Sequence, residues 1–597
     1  MSDAGSEPHK KNEQMPRNDP RSALPIPARL GASARDVWHG QVTRRLAQSG
    51  DVPDSLSFRP EALDVGSAEE AEAMLRGQFD FYGASAKVER GDPWRVIPPN
   101  AQWAAALHSF TWLKHFRAGD GPASRTAARR FVDGWLVRHG SSAGFSWRPA
   151  IAGERVTAWC MSARLLMENA EPTYRTTFLK SLGMQGRYLG KTAASEKAAM
   201  DRMRAAMGAI YAGLCLPDQR SLLTDGLKIF VKAAAAASLA DGGPASRNPS
   251  HLLERVARLI QVKADLEAAG EAAVAERLSP MISNAIPVLR LLRHGDGGLA
   301  LFHGGHDEGG ERVNRILADS NEAAPARGDA PDSGFMRLSA GRLCAILDAG
   351  NTPTARYTRT GHAAPLALEV SIGQQRLFTS CGSATHLDAE WESGCRVSAA
   401  HSTLTLADKS PVEFSGSTKT PMRQLSSPSQ VFEREREEDE DGVWALAAHD
   451  GYVAEFGLLH YRRLFLAPDG KDLRGEDTLS LVKGGAKTLE RARAKRKTPD
   501  GPPFAVRFHL HPRVSAELSE KNALLTLENG EQWRMIVSGG RLAIEDSIYV
   551  PRPASPKATK QLVIQGNMQD EGGQVRWALK RLDPEEQDGT AEAAEPL

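Results

Sequence analysis

The chemistry-bearing residues of this chain gather in its second half. Positions 361–406 read GHAAPLALEVSIGQQRLFTSCG, a polar loop, then CRVSAAHSTLTL. Two apparent strands each begin with a histidine, His362 and His401. A third segment, HDGYVAEFGLLHYRRLFL, adds His449, Tyr452, His460, Arg462 and Arg463. Imidazole titrates near neutral pH, and a guanidinium grips carboxylates through a planar fork. Placed at the edges of an alternating apolar pattern, such groups suit proton transfer on an anionic polymer. Period-two alternation puts Arg462 on the face of His460 and turns Arg463 the other way, so one of the two arginines belongs to a solvated face.

The first half offers a smaller set. Arg247, Asn248 and His251 open a predicted helix, with Pro249 in its first turn and Asn248 or Ser246 as cap. A helix start favours anions, so capping and ligand binding are compatible there. Trp103, Trp112 and Trp147 suit either sugar stacking or core filling, and core filling is the simpler reading. His509 and His511, in FHLHP, share one strand face and read as packing between strands. The Gly-rich words DGG and HGGHDEGG lack the strand and helix context of a nucleotide loop.

These side chains need elements to hold them. The chain has 597 residues, too many for one ordinary core. Its 75 basic and 74 acidic residues leave no bulk charge to draw nucleic acid or membrane, so an anion site must be local. The five cysteines, among them a candidate pair Cys381 and Cys395, show no CxxC spacing and fit a reducing compartment. The polar N-terminus carries no apolar signal region, which predicts a cytoplasmic chain, and no stretch is apolar enough to span a bilayer.

The hydrophobic period changes near residue 300. Before it the period is helical: in AQWAAALHSFTWLKHF, Leu107, Phe110, Leu113 and Phe116 fall on one face. Gly153 and Glu154 are placed at a helix start and Gly270 at a helix end. After 335 the period becomes two. FMRLSAGRLCAILDAG predicts a hairpin turning near Ala340–Gly341, and LALEVSIGQQRLFTSCG one turning at Gly373–Gln374. Many short strands follow, which indicates an antiparallel sandwich. EREREEDEDG (433–442) reads as a charged loop and RARAKRKTPDGPP (491–503) as a basic loop. The predicted organisation is a disordered segment 1–35, a helical domain 36–310, a linker 311–334, a β-sandwich 335–583 and an acidic disordered tail 584–597.

A helical half carrying DGGPASRNPSHLLERV and DGGLALFHGG, then a β half carrying GHAAPLALEV, CRVSAAHSTLTL, HDGYVAEFGLLHYRRLFL, FHLHP and NGEQWRM, resembles the heparinase II/III-like polysaccharide lyases from about residue 95 to 570. The resemblance implies an α+β multidomain fold: an incomplete (α/α) toroid followed by an antiparallel β-sandwich. It implies β-elimination in a uronate-containing glycan. A base removes the proton beside the carboxylate, an acid protonates the leaving oxygen, and a cation or amide steadies the enolate-like charge. His251, His401 and Tyr452 are the expected proton-transfer residues. Arg202, Arg247, Asn248, His460 and Arg462 are the expected substrate-binding residues.

The family's His-Gly-His word, first His catalytic and second a zinc ligand, stands here as Thr360-Gly361-His362. His362 and His401 match zinc positions, so zinc is the one cofactor implied, while Ser380-Cys381-Gly382 occupies the place of the metal Asp. The family's Asn-His word is replaced by Asp201-Arg202, and its catalytic Tyr by His251 in Asn248-Pro249-Ser250-His251. The expected partner is an acidic polysaccharide or oligosaccharide, which family lyases meet in the periplasm. The alternative on the same scaffold is a catalytically altered or inactive protein that binds glycan in cell-envelope biogenesis. A hydrolase is a weaker third reading, since no carboxylate pair stands out.

Overall fold

Proline opens several helices of the first half. The computed structural model describes Arg45, Gln48 and residues 50–582, apart from 89–90, 120, 142–143, 354–355, 420–422, 498–500, 520–521, 551–554 and 569–571. Helices Pro122–His139, Pro149–Met161, Pro172–Thr192 and Pro249–Ala268 each begin at a proline. Its fixed φ suits a first turn, where its missing N–H leaves no bond unmade. Asn248 caps the last of these by accepting from Ser250 N at 2.8 Å, and Gly270 (φ 80°) lies just beyond its end.

Helix Ala199–Cys215 packs against Pro149–Met161 and Arg220–Ala236. Gly153 lies inside Pro149–Met161 rather than at its start. A Cβ on Gly153 would meet the Arg204 carbonyl oxygen at 2.3 Å, and one on Gly208 would meet Gly153 Cα at 2.6 Å. The two glycines let the helix backbones touch, which carries Arg204 to the end of Glu154. A hairpin, Gln78–Phe81 with Ala84–Lys87, follows the helix Ala68–Leu75 and precedes the others named here. Trp103, Trp112 and Trp147 are buried, and their indole N–H groups donate to backbone carbonyls, so they fill the core.

The β half is two antiparallel sheets. The first runs in order Arg541–Tyr549, Lys557–Asn567, Pro503–Leu510, Gln375–Thr379, Leu368–Ile372, Leu343–Asp348, Phe335–Ala340 and Asp329–Ala330, with Leu404–Leu406 also on Pro503–Leu510. The second runs Ser515–Ser519, Asn522–Thr526, Gln532–Ser538, Gly573–Arg581, Asp472–Leu481, Leu458–Leu466, Gly442–His449 and Val431–Asp439. Both foreseen hairpins are present, with Gly341 and Gly373 at positive φ in their turns.

The first sheet is covered on both faces. Cys344 and Ile346 belong to the helical core, while Leu343, Ala345 and Leu347 alternate into the sandwich core. That is why Leu343–Asp348 is buried throughout. Among the described residues no helix is long and apolar enough to cross a membrane.

Four local expectations need correction. Positions 433–439 are the edge strand Val431–Asp439, not a loop; charge on an edge strand blocks sheet-to-sheet pairing. The first part of the predicted basic loop, 491–496, belongs to the helix Ala486–Arg496, seated by Leu489 and Ala492. His362 and His401 do not open strands. His362 lies in a loop before Leu368–Ile372, and His401 follows a helical turn ahead of Leu404–Leu406. Cys381 and Cys395 are free and buried, with no disulfide between them. The N-terminal segment 1–35 and the tail 584–597 lie outside the described residues.

Candidate functional site

The helical half and the first sheet meet through a buried polar seam. The Arg247 guanidinium is saturated there. Nε donates to the Ser333 carbonyl at 2.8 Å, and Nη1 to those of Gly350 at 3.0 Å and Asn351 at 2.8 Å. Nη2 pairs with Asp348 Oδ1. His303 Nε2 lies 2.9 Å from Asp348 Oδ2 and 3.1 Å from Arg247 Nη1. Burial alone would raise the Asp348 carboxyl, but Arg247 and His303 hold it below the usual range.

His303 passes the contact on. Its Nδ1 accepts from His362 N at 3.1 Å, and His362 Nδ1 lies 3.1 Å from His401 Nε2. All three imidazoles are buried. Burial drives each towards its neutral form, with His401 lowered to about 4. Arg247 (φ 58°) and His303 (φ 48°) hold left-handed backbone, a conformation that persists only where surroundings impose it. His303 was not among the sequence candidates; its word HGGHDEGG read as a joint.

Asn248 and His251 lie against this seam from the helical side. A Cβ on Gly304 would stand 3.4 Å from Asn248 Nδ2, 3.6 Å from the Thr360 carbonyl oxygen and 3.7 Å from His362 Nε2. His251 Nδ1 is 2.8 Å from Ser246 Oγ. Burial lowers its pKa, against the pull of Glu254. Beyond it Arg204 reaches Glu254 at 2.6 Å, Asp201 at 2.7 Å and Glu154 at 3.4 Å, and Arg258 bonds Glu154 and Glu254. The structure thus brings Asn248, His251, His362 and His401 to one region, with Asp201 on its helical wall. Arg202 turns back and donates to the carbonyls of Glu196 and Lys197.

Tyr452, His460 and Arg462 are elsewhere. Tyr452 sits in the sandwich core, its hydroxyl donating to the carbonyls of Leu404 at 3.0 Å and Lys409 at 3.3 Å. Burial pushes its phenol well above the ordinary value. His460 Nε2 meets Asp477 at 2.8 Å and its Nδ1 meets His449 at 3.1 Å. Arg462 grips Asp477 through Nε at 2.8 Å and Nη2 at 3.1 Å. Its Nη1 donates to the carbonyls of Leu366 and Ser402. Tyr452, His449, His460, Arg462 and Asp477 are all buried. Arg463 is exposed, as its register requires.

The donor set does not fit zinc. The two matching imidazoles face each other at hydrogen-bond distance, and a serine stands in place of the carboxylate. Among the described residues no group of three or more His, Cys, Asp or Glu side chains is disposed to hold a metal.

The family model "Heparinase II/III-like, C-terminal" matches residues 322–578. FtsZ-localized protein C of Caulobacter vibrioides (strain NA1000 / CB15N) is 30% identical over 568 residues, spanning 94% of this chain and 96% of that protein. Among solved structures, heparinase III superposes with a TM-score of 0.65 at 12% identity, covering 93% of this chain and 89% of that one. Heparan sulfate lyase HepC from Pedobacter heparinus superposes at 0.58 with 13% identity, covering 92% and 88%. At such identities the structures speak for the fold: a helical toroid followed by a β-sandwich.

Proposed function

The chain belongs to the heparinase II/III-like family, and from that premise we propose a glycan-binding protein that keeps the lyase scaffold and has lost its elimination chemistry. One observation carries this reading: apart from His251, the side chains expected to move protons and hold the carboxylate are engaged inside the protein. Arg247 and Arg462 are locked to Asp348 and Asp477, and Tyr452 is bonded to backbone in a core. β-Elimination needs a base and a carboxylate partner within reach of substrate. The relative named for FtsZ localisation, matched over 96% of its length, supports a role alongside FtsZ.

The test is twofold. Purified protein, with and without zinc, is incubated with a panel of uronate glycans and read by the ultraviolet absorbance of unsaturated ends. No product is expected. Product formation abolished by His401→Ala overturns the proposal. A fluorescently tagged chain imaged with FtsZ is expected to share its position, and fractionation is expected to place it in the cytoplasm.

One feature favours a second reading, altered elimination with His251 as base. Ser246 fixes the ring by Nδ1, leaving Nε2 for a ligand. That reading requires turnover that His251→Ala removes.

A further inference from the structure

We propose that Arg356 and Arg359, on the turn before His362, form an anion-binding subsite that takes the carboxylates of a uronate-bearing glycan. This rests on the glycan-binding reading above and names the charge of the ligand and the residues that meet it.

The turn belongs to the sandwich half but sits on the site. Thr360 N and Gly361 N both donate to the Tyr357 carbonyl, at 3.0 and 2.9 Å, closing a single turn that carries Arg356 and Arg359 three residues apart. The Thr360 carbonyl oxygen faces the Gly304 position shared with Asn248 and His362. Tyr357 lies within electrostatic reach of Arg255, one turn beyond His251 on helix Pro249–Ala268. The turn therefore spans from the sandwich to the helix that presents Asn248 and His251.

Its two arginines differ from those around it. Arg204, Arg247, Arg258, Arg376 and Arg396 each have a carboxylate within ion-pair distance. Arg356 and Arg359 are exposed, and among the described residues neither has a carboxylate partner. The backbone beneath them is fixed: the Thr358 carbonyl accepts from Leu425 N and Arg396 Nη2, each at 3.0 Å. Free guanidinium groups on a fixed turn are prepared for a planar anion. A carboxylate bound by such a fork gains two parallel charge-assisted hydrogen bonds, with little loop ordering to offset them. In a chain of almost balanced charge, this pair can take an anion without displacing an internal ion pair.

The experiment compares wild type, R356Q/R359Q and R463Q by titration calorimetry. The probes are a panel of uronate oligosaccharides (hyaluronan, polygalacturonate and alginate fragments) and neutral N-acetylglucosamine oligomers of matched length. Wild type is expected to bind at least one uronate probe about tenfold or more tighter than the neutral oligomer, with affinity falling as salt rises. R356Q/R359Q is expected to lose that margin, while R463Q, an exposed arginine on the second sheet, keeps it. Undiminished uronate binding by R356Q/R359Q, or equal binding of neutral and acidic probes by wild type, overturns the subsite and leaves the glycan-binding reading standing. Wild type that binds none of the probes overturns both.

Discussion

Burial decides how the seam histidines respond to pH. His401 is fully enclosed, and its pKa falls from the usual 6.5 to about 4 because the cation cannot be solvated there. The unfolded chain therefore takes up a proton that the folded chain refuses. Stability contributed by the neutral ring is complete above pH 6.5 and drains away as pH falls towards 4. For this one group the loss is about 2 kcal/mol at pH 5 and about 3 kcal/mol at pH 4. His303 and His362 shift the same way and add to the slope. Thermal melts between pH 7 and pH 5 are expected to show a falling midpoint, and His401→Gln is expected to flatten that fall. An unchanged slope in the variant means that another group carries the response. The sequence marked His362 and His401 as paired chemistry. It could not show that they would face each other, because they stand 39 positions apart, across loop, hairpin and helix.

At the scale of elements, the helical wall of the site depends on two glycines. Gly153 and Gly208 allow Pro149–Met161 and Ala199–Cys215 to touch, and that contact aligns Glu154 with Arg204. Gly153→Ala puts a methyl group 2.3 Å from the Arg204 carbonyl, where only backbone movement can make room. The gain in helix propensity, about 1 kcal/mol, is smaller than an overpacking cost of about 1–3 kcal/mol. The expected result in urea unfolding is a net loss of stability, and an equal or higher midpoint refutes the argument. Gly153 looked like a helix start because glycine usually marks a boundary. Its true role is visible only once the partner helix is in place. The strand Val431–Asp439 was hidden in the same way. Its alternating Glu and Arg carry no apolar period, yet Arg434 reaches Asp329 and Arg436 reaches the Arg337 carbonyl, tying the edges of the two sheets together. The hairpins at Gly341 and Gly373 were legible because turn chemistry and the period-two pattern agree within a dozen residues.

Across the whole molecule, the seam joins the helical half to the sandwich, where Cys344 and Ile346 of the first sheet complete the helical core. Arg247 and Asp348 lie 101 residues apart, one in the helical half and one in the sheet. Local periodicity reveals both halves; which arginine meets which aspartate is set only when they dock. A second link lies nearby, where buried His294 and Glu369 meet at 3.1 Å, with Leu301 N and Ser380 N also donating to Glu369. Removing one member of such a pair strands the other charge out of water, which costs about 3–5 kcal/mol, whereas removing both leaves no such charge. Arg247→Met is therefore expected to lower the unfolding free energy by that amount and to loosen the docking of the halves. Arg247→Met/Asp348→Leu is expected to recover at least half of the loss. Urea unfolding followed by tryptophan fluorescence reports on both halves, through Trp135 and Trp159 in the helices and Trp533 and Trp577 in the sandwich. If the double variant is no more stable than Arg247→Met, the ion pair is not the unit that locks the seam, and the carbonyl contacts of Arg247 with Ser333, Gly350 and Asn351 carry the docking instead.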